Sequence, residues 1–240
     1  MNVTKKPCHP SERGNVIFYV LIAVALLAAL SFAVARSTRG SINQVTEERS
    51  KMIANEIIQY ANTFGNAVAQ IRLRGISDSD MCFNDNGWGG ADYPNTSCSD
   101  EATKIFGLKG GAVTWKKAPT DAMDAAAAPD YLWGIYGTNE VQDIGTTCGA
   151  DSCADLILVL DELSAVVCRK INAALKIAGE DDAPPTDTEL NYTRFNGTYT
   201  YQKTIGDEAG GGILAGKSAA CFQKTAAPSK YTFYKVLIAR

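Results

Sequence analysis

The stretch Gly14-Asn-Val-Ile-Phe-Tyr-Val-Leu-Ile-Ala-Val-Ala-Leu-Leu-Ala-Ala-Leu-Ser-Phe-Ala-Val-Ala35 carries no charge and follows a short leader that holds Lys5, Lys6 and Arg13. At about 1.5 Å rise per residue, roughly 21 residues reach across the ~30 Å hydrocarbon core of a bilayer as one helix. The Val, Ile, Leu and Phe side chains outweigh Asn15 and Ser31 on an insertion scale. The expectation is one transmembrane helix over 15–35, since no second segment of this length and polarity follows.

Apolar residues continue at Ile42, Val45, Ile53, Ile57, Tyr60, Phe64, Val68 and Ile71, mostly three or four apart, with no proline between Arg36 and Pro94. This is helical spacing, so 36–75 reads as an amphipathic stalk that prolongs the first helix and packs its stripe on a globular domain, with Gly75 as the stop. The domain plan is therefore a cytoplasmic leader 1–14, a transmembrane helix 15–35, a stalk 36–75 and an extracytoplasmic globular domain 76–240. Its fold class is α+β: the long helix, a second helix and antiparallel strands, stapled by disulfides.

Seven cysteines divide unevenly around the apolar stretch: Cys8 before it, and Cys82, Cys98, Cys148, Cys153, Cys168 and Cys221 after it. An even set on one side and a single thiol on the other fits a large part in an oxidising compartment and an N-terminus in the cytoplasm. The weak excess of positive charge before the segment points the same way. The location expected is the inner (plasma) membrane, single-pass, with the bulk periplasmic or extracellular. Short separations pair Cys82 with Cys98 and Cys148 with Cys153, which leaves Cys168 for Cys221.

Within the domain, turn-forming residues crowd 77–101, most of them between Cys82 and Cys98. Strands are expected at 112–116, 131–136, 192–201 and 230–238 from their Tyr, Thr, Val and Phe content. A second helix is expected over 155–177, because Leu156, Val159, Leu160, Leu163, Val166, Val167, Ile171 and Leu175 recur at helical intervals and Gly179 follows. The acidic segment 179–189 with Pro184-Pro185 reads as a loop.

Chemistry is sparse. The single histidine is His9, ahead of the apolar stretch, so neither a Ser-His-Asp triad nor a histidine zinc site can be built in the domain. The chain reads as a non-enzyme. Asp80, Asn84, Asp85 and Asp92 are oxygen ligands close enough in sequence to suggest calcium, although their spacing departs from the known calcium loop and ordinary turns also carry such clusters. No other cofactor is indicated. Gly211-Gly-Ile-Leu-Ala-Gly216-Lys217-Ser218 matches the phosphate-loop pattern letter for letter. That pattern holds phosphates only between an apolar strand and a helix, and the lead-in here is Gly206-Asp-Glu-Ala-Gly210, so no nucleotide is expected. Acidic side chains outnumber basic ones, 26 to 23, and no basic block is present, which excludes nucleic acid as a partner.

The charged leader ending at Gly14, the apolar helix starting at once and its amphipathic continuation into a disulfide-bearing domain resemble the type IV pilin and type II secretion pseudopilin superfamily. The likeness covers about the first quarter of the chain. It implies cleavage by a prepilin peptidase between Gly14 and Asn15, and partners that are the membrane and other pilin-like subunits, whose helices pack together in a filament core. That family usually has Phe or Met first and Glu fifth in the mature chain, where Asn15 and Tyr19 stand here, which implies a minor or tip-located subunit. Read instead with Ala33-Val34-Ala35 as a signal-peptidase site, the chain is a secreted binding domain starting at Arg36; with the segment retained, it is a single-pass anchored one.

Overall fold

A computed structural model describes residues 16–84, 93, 95–124, 133–188, 190–208, 211–225 and 230–240, of which 16, 17, 33–45, 96 and 97 are described for the backbone alone. Two units divide the chain, Met1–Glu48 and Arg49–Arg240. Helix α1, Val16–Leu73, enters both as one uninterrupted helix of 58 residues. It stops as the sequence predicts: Arg74 and Gly75 donate their N–H groups to Ile71 and Arg72, and Gly75 takes φ +84°, a backbone state that costs glycine little.

The expectation of a membrane-spanning first half is corrected. Among the described residues no helix is long and apolar enough to cross a membrane. Single-pass placement in the inner membrane falls with that helix. The second half of α1 follows the predicted stripe: Ile53, Ile57, Tyr60, Phe64, Val68 and Ile71 are buried, joined by Ala54, Ala61 and Ala67.

The second unit is built on a six-stranded sheet of order β3-β5-β6-β2-β1-β4, with β1 Trp133–Val141, β2 Asp155–Leu163, β3 Thr186–Asp187, β4 Lys203–Ile205, β5 Ala219–Lys224 and β6 Tyr231–Ile238. Its four middle strands pair antiparallel, as predicted, but β3 on β5 and β4 on β1 are parallel. The sheet is thus mixed, not antiparallel throughout. Both parallel pairs are short edge strands reached by long irregular connections, which supply the crossover a parallel partner needs.

The predicted helix over 155–177 is two elements. Residues 155–163 form β2, and only Ala165–Ala174 form helix α2, capped by Ser164, whose side chain accepts from Val167 N–H. Leu156 to Leu160 are fully buried. Leu156, Leu158 and Leu160 join a core with α1, α2, Trp133, Ile135 and Phe233; Ile157 and Val159 face a second core of Tyr136, Val141, Ile205, Leu214, Phe222 and Tyr234. A strand covered on both faces loses the alternation that marks a strand, and its leucines then mimic helical spacing. Residues 112–116 and 192–201 are irregular, and of the strand expected over 131–136 the part from Trp133 is described and extends to Val141. The 192–201 segment lies over β1 where Gly137 has no side chain; a Cβ there would come within 2.6 Å of the Phe195 ring.

All three predicted disulfides form: Cys82–Cys98, Cys148–Cys153 and Cys168–Cys221, the last joining α2 to β5 across 53 residues. Beside that bridge Asn172 binds the Cys221 backbone twice, donating to its carbonyl at 2.7 Å and accepting from its N–H at 2.9 Å. At the other end of the sheet Asp155 is buried and accepts from the N–H groups of Val141 (2.8 Å) and Arg240 (3.0 Å). Burial pushes its carboxyl up to about 6; those two N–H groups oppose the rise and the nearby Glu140 charge adds to it.

Opening the 53-residue bridge by Cys168→Ala with Cys221→Ala should cost about 4 kcal/mol, against about 2 kcal/mol for Cys148→Ala with Cys153→Ala, whose separation is 5. Urea midpoints of the two double variants check the order. Asp155 holds its proton to higher pH when folded than when unfolded, so its contribution to stability is complete below about pH 4 and fades as pH rises through about 6. The change, about 1–3 kcal/mol after allowance for solvent screening, should be missing from the pH dependence of urea unfolding in Asp155→Asn.

Candidate functional site

Within the first unit, α1 is apolar all round from Phe18 to Phe32. Phe18, Tyr19, Val20, Leu21, Ile22, Val24, Leu26, Leu27, Leu30 and Phe32 are exposed, from 41% at Ile22 to 71% at Leu27. Successive residues of a helix turn by about 100°, so the five from Phe18 to Ile22 point in every direction around the axis. A helix without a polar face belongs in surroundings that are apolar on all sides. Ala23, Ala25, Ala28 and Ala29 lie among the large side chains. Such alternation of small and large residues gives ridges and grooves into which other helices can pack.

Within the second unit the outward face of α1 borders two open clefts that share Glu56 and Gln59. The larger, about 680 Å³, runs between Gln59, Thr63, Asn66 and Gln70 on the helix and the 111–116 segment. Tyr60 fixes its floor: the hydroxyl accepts from Lys116 N–H at 2.8 Å and donates to the Thr114 carbonyl at 3.3 Å. The second, about 640 Å³, is bordered by Arg49, Met52, Asn55, Pro119 and Asp121, with Arg49 and Asp121 in an ion pair and Met52 72% exposed. Amide and hydroxyl side chains make up half of the larger cleft's lining, and the second mixes them with charged and apolar ones. These groups can form hydrogen bonds to a partner, and Glu56 adds a carboxylate to both clefts.

Of the residues singled out in the sequence, Gly14 and Asn15 lie outside those described, as do Asp85 and Asp92. Asp80 and Asn84 are exposed. Among the described residues no three His, Cys, Asp or Glu side chains gather in a group able to hold a metal. The Gly211–Ser218 segment makes a short 3-10 turn, bends at Gly216 (φ +72°) and passes directly into β5, a strand, where a phosphate loop would open a helix. Trp115 packs partly buried against the core and Trp133 is buried in it, while Trp88 lies outside the described residues.

Composition and spacing gave no sign of several buried polar groups. Glu140, 2% exposed, accepts from the backbone N–H groups of Cys148 and Gly149 and from Thr204 Oγ1, holding the small disulfide loop to the sheet. Lys224 reaches Asp161 at 2.8 Å and the Tyr192 hydroxyl at 3.0 Å, and Thr232 also donates to Asp161. Burial, with the Asp161 charge beside it, pushes the Tyr192 phenol well above its usual range. Asp187 accepts from Gly206 and Thr188 N–H, and burial raises its carboxyl above its usual value. Each of these groups is used up by neighbours within the fold. No family model, curated protein or solved structure matches the chain.

Proposed function

We propose that the chain is a non-enzymatic, pilin-like structural subunit that assembles through the apolar first part of α1 with further copies or with related chains. The observation that carries this reading is the exposure of ten large apolar side chains from Phe18 to Phe32, a part of the helix with no polar face. An apolar surface of that extent in water is a docking surface or an aggregation hazard. Covering each such side chain is worth about 1.5–3 kcal/mol, so a few neighbouring helices supply a strong drive to assemble. The N-terminal resemblance adds a route: cleavage between Gly14 and Asn15 removes Lys5, Lys6 and Arg13 and leaves the apolar helix at the very start of the mature chain. The disulfide-stapled second unit is then the part that faces outward, and its polar clefts suit neighbouring subunits more than a substrate.

A second reading, a secreted binding domain cut after Ala35, is favoured by the 680 Å³ cleft. The two differ in the mature N-terminus. Sequencing the protein from its native source should give Asn15 for the assembling subunit; a chain starting at Arg36 would lack the assembling segment and overturn the proposal. With the full mature chain, Val24→Asp combined with Leu27→Asp should weaken self-association on the order of a hundredfold, read by sedimentation velocity, with the unfolding midpoint of the second unit unchanged.

A further inference from the structure

The lysines of the second unit that lie close to its core are, with one exception, neutralised. Lys170 pairs with Glu180, Lys224 with Asp161 and Lys230 with Glu162. Lys235, in the middle of β6 and beside β2 and β5, has no ion-pair partner among the described residues, although it is only partly exposed. Burial lowers its ammonium pKa, and no acidic neighbour offsets the effect. Leaving a cation half-buried and unpaired costs free energy, so an anion that arrives there is favoured.

Lys235 lines a cavity of about 220 Å³ between α1, the end of α2 and the start of β5. The other polar side chains around it are Lys217, Ser218 and Asn62; none of the three makes a side-chain hydrogen bond or ion pair among the described residues, and no carboxylate lines the cavity. Leu175, Ile177 and Phe233 form the apolar remainder of the wall. Two lysines, a serine and an asparagine thus border a space that no carboxylate side chain lines. Lysine acts on phosphate as a point charge, and two ammonium groups match the nearly double charge of a phosphate better than the single charge of a carboxylate. The cavity falls below the ~300–1,000 Å³ of sites for drug-sized ligands, so a nucleotide is too large for it.

We propose that the cavity bounded by Lys217, Ser218, Asn62 and Lys235 is a binding site for a small phosphate group, either inorganic phosphate or the head of a small phosphate monoester. It is independent of the assembly reading, since every residue involved belongs to the second unit. The Gly216-Lys217-Ser218 segment contributes through its side chains next to a lysine of a neighbouring strand, without the helix that a phosphate loop uses.

The test is calorimetric titration of the full chain with inorganic phosphate at pH 7.5 and low salt, repeated with glycerol phosphate, and with chloride at matched ionic strength. Saturable binding with Kd on the order of 0.1–1 mM is expected, absent with chloride. Lys235→Gln and Lys217→Gln should each weaken it about tenfold, the size of one lost charge-assisted contact, and exposed Lys203→Gln should leave it unchanged. Lys217 and Ser218 are exposed, so Lys217→Gln and Ser218→Ala keep the test valid if Lys235→Gln fails to fold. Tighter binding of glycerol phosphate identifies a monoester ligand, and its exclusion identifies the free ion. No saturation by about 10 mM phosphate, equal heats with chloride, or undiminished binding in Lys217→Gln overturns the proposal.

Discussion

Water is kept from both faces of β2, and the second unit is arranged around that constraint. Five consecutive side chains, Leu156 to Leu160, alternate between two cores, so each face of the sheet needs its own cover. On one side the cover is α1 and α2, with Ile57, Phe64 and Ile71 in one core with Leu156 and Leu158. On the other it is a layer of loops and edge strands that brings Leu190, Ile205 and Leu214 over Ile157 and Val159. Loops can serve as a layer only if their polar backbone groups are satisfied. Asp187 and Asn139 do this by accepting N–H groups from segments 19 and 52 residues away, and Glu140 by accepting those of the adjacent disulfide loop.

The same central position explains which parts of the fold could be read in advance. The α1 stripe was legible because one face packs and the other meets solvent, which preserves a 3.6-residue period. The disulfides were legible because two pairs close short loops and only one pairing then remained. β2 was not, since burial on both sides erases the period of two and leaves a leucine-rich run compatible with either structure. Ser164 held the missing clue: as the cap of α2 it marks where the strand ends and the helix begins. β5 escaped notice because Ala219, Ala220 and Cys221 have little strand character of their own and are held by pairing with β6.

The candidate surfaces were legible in a different measure. The apolar helix could be found from composition alone, but composition does not say whether lipid or other helices surround it, and among the described residues no helix is long and apolar enough to cross a membrane. The clefts beside α1 were not legible, because Gln59, Thr63, Asn66 and Gln70 look like the solvated side of any amphipathic helix until the 111–116 segment is laid beside them. The cavity at Lys235 was half legible. Lys217 and Ser218 sit in a motif, and their neighbour Lys235 lies in a strand that sequence spacing alone cannot bring to them.

The bridge between Cys168 and Cys221 has both sulfur-bearing residues fully buried, one in α2 and one in β5, with Asn172 binding the Cys221 backbone beside them. An oxidant cannot reach such thiols once the two elements have closed over them. Bond formation and the docking of α2 on the sheet therefore have to occur together during folding, while the polypeptide is still open. A chain that reached the docked state with both thiols reduced would be trapped there, and would have to unfold locally before it could mature.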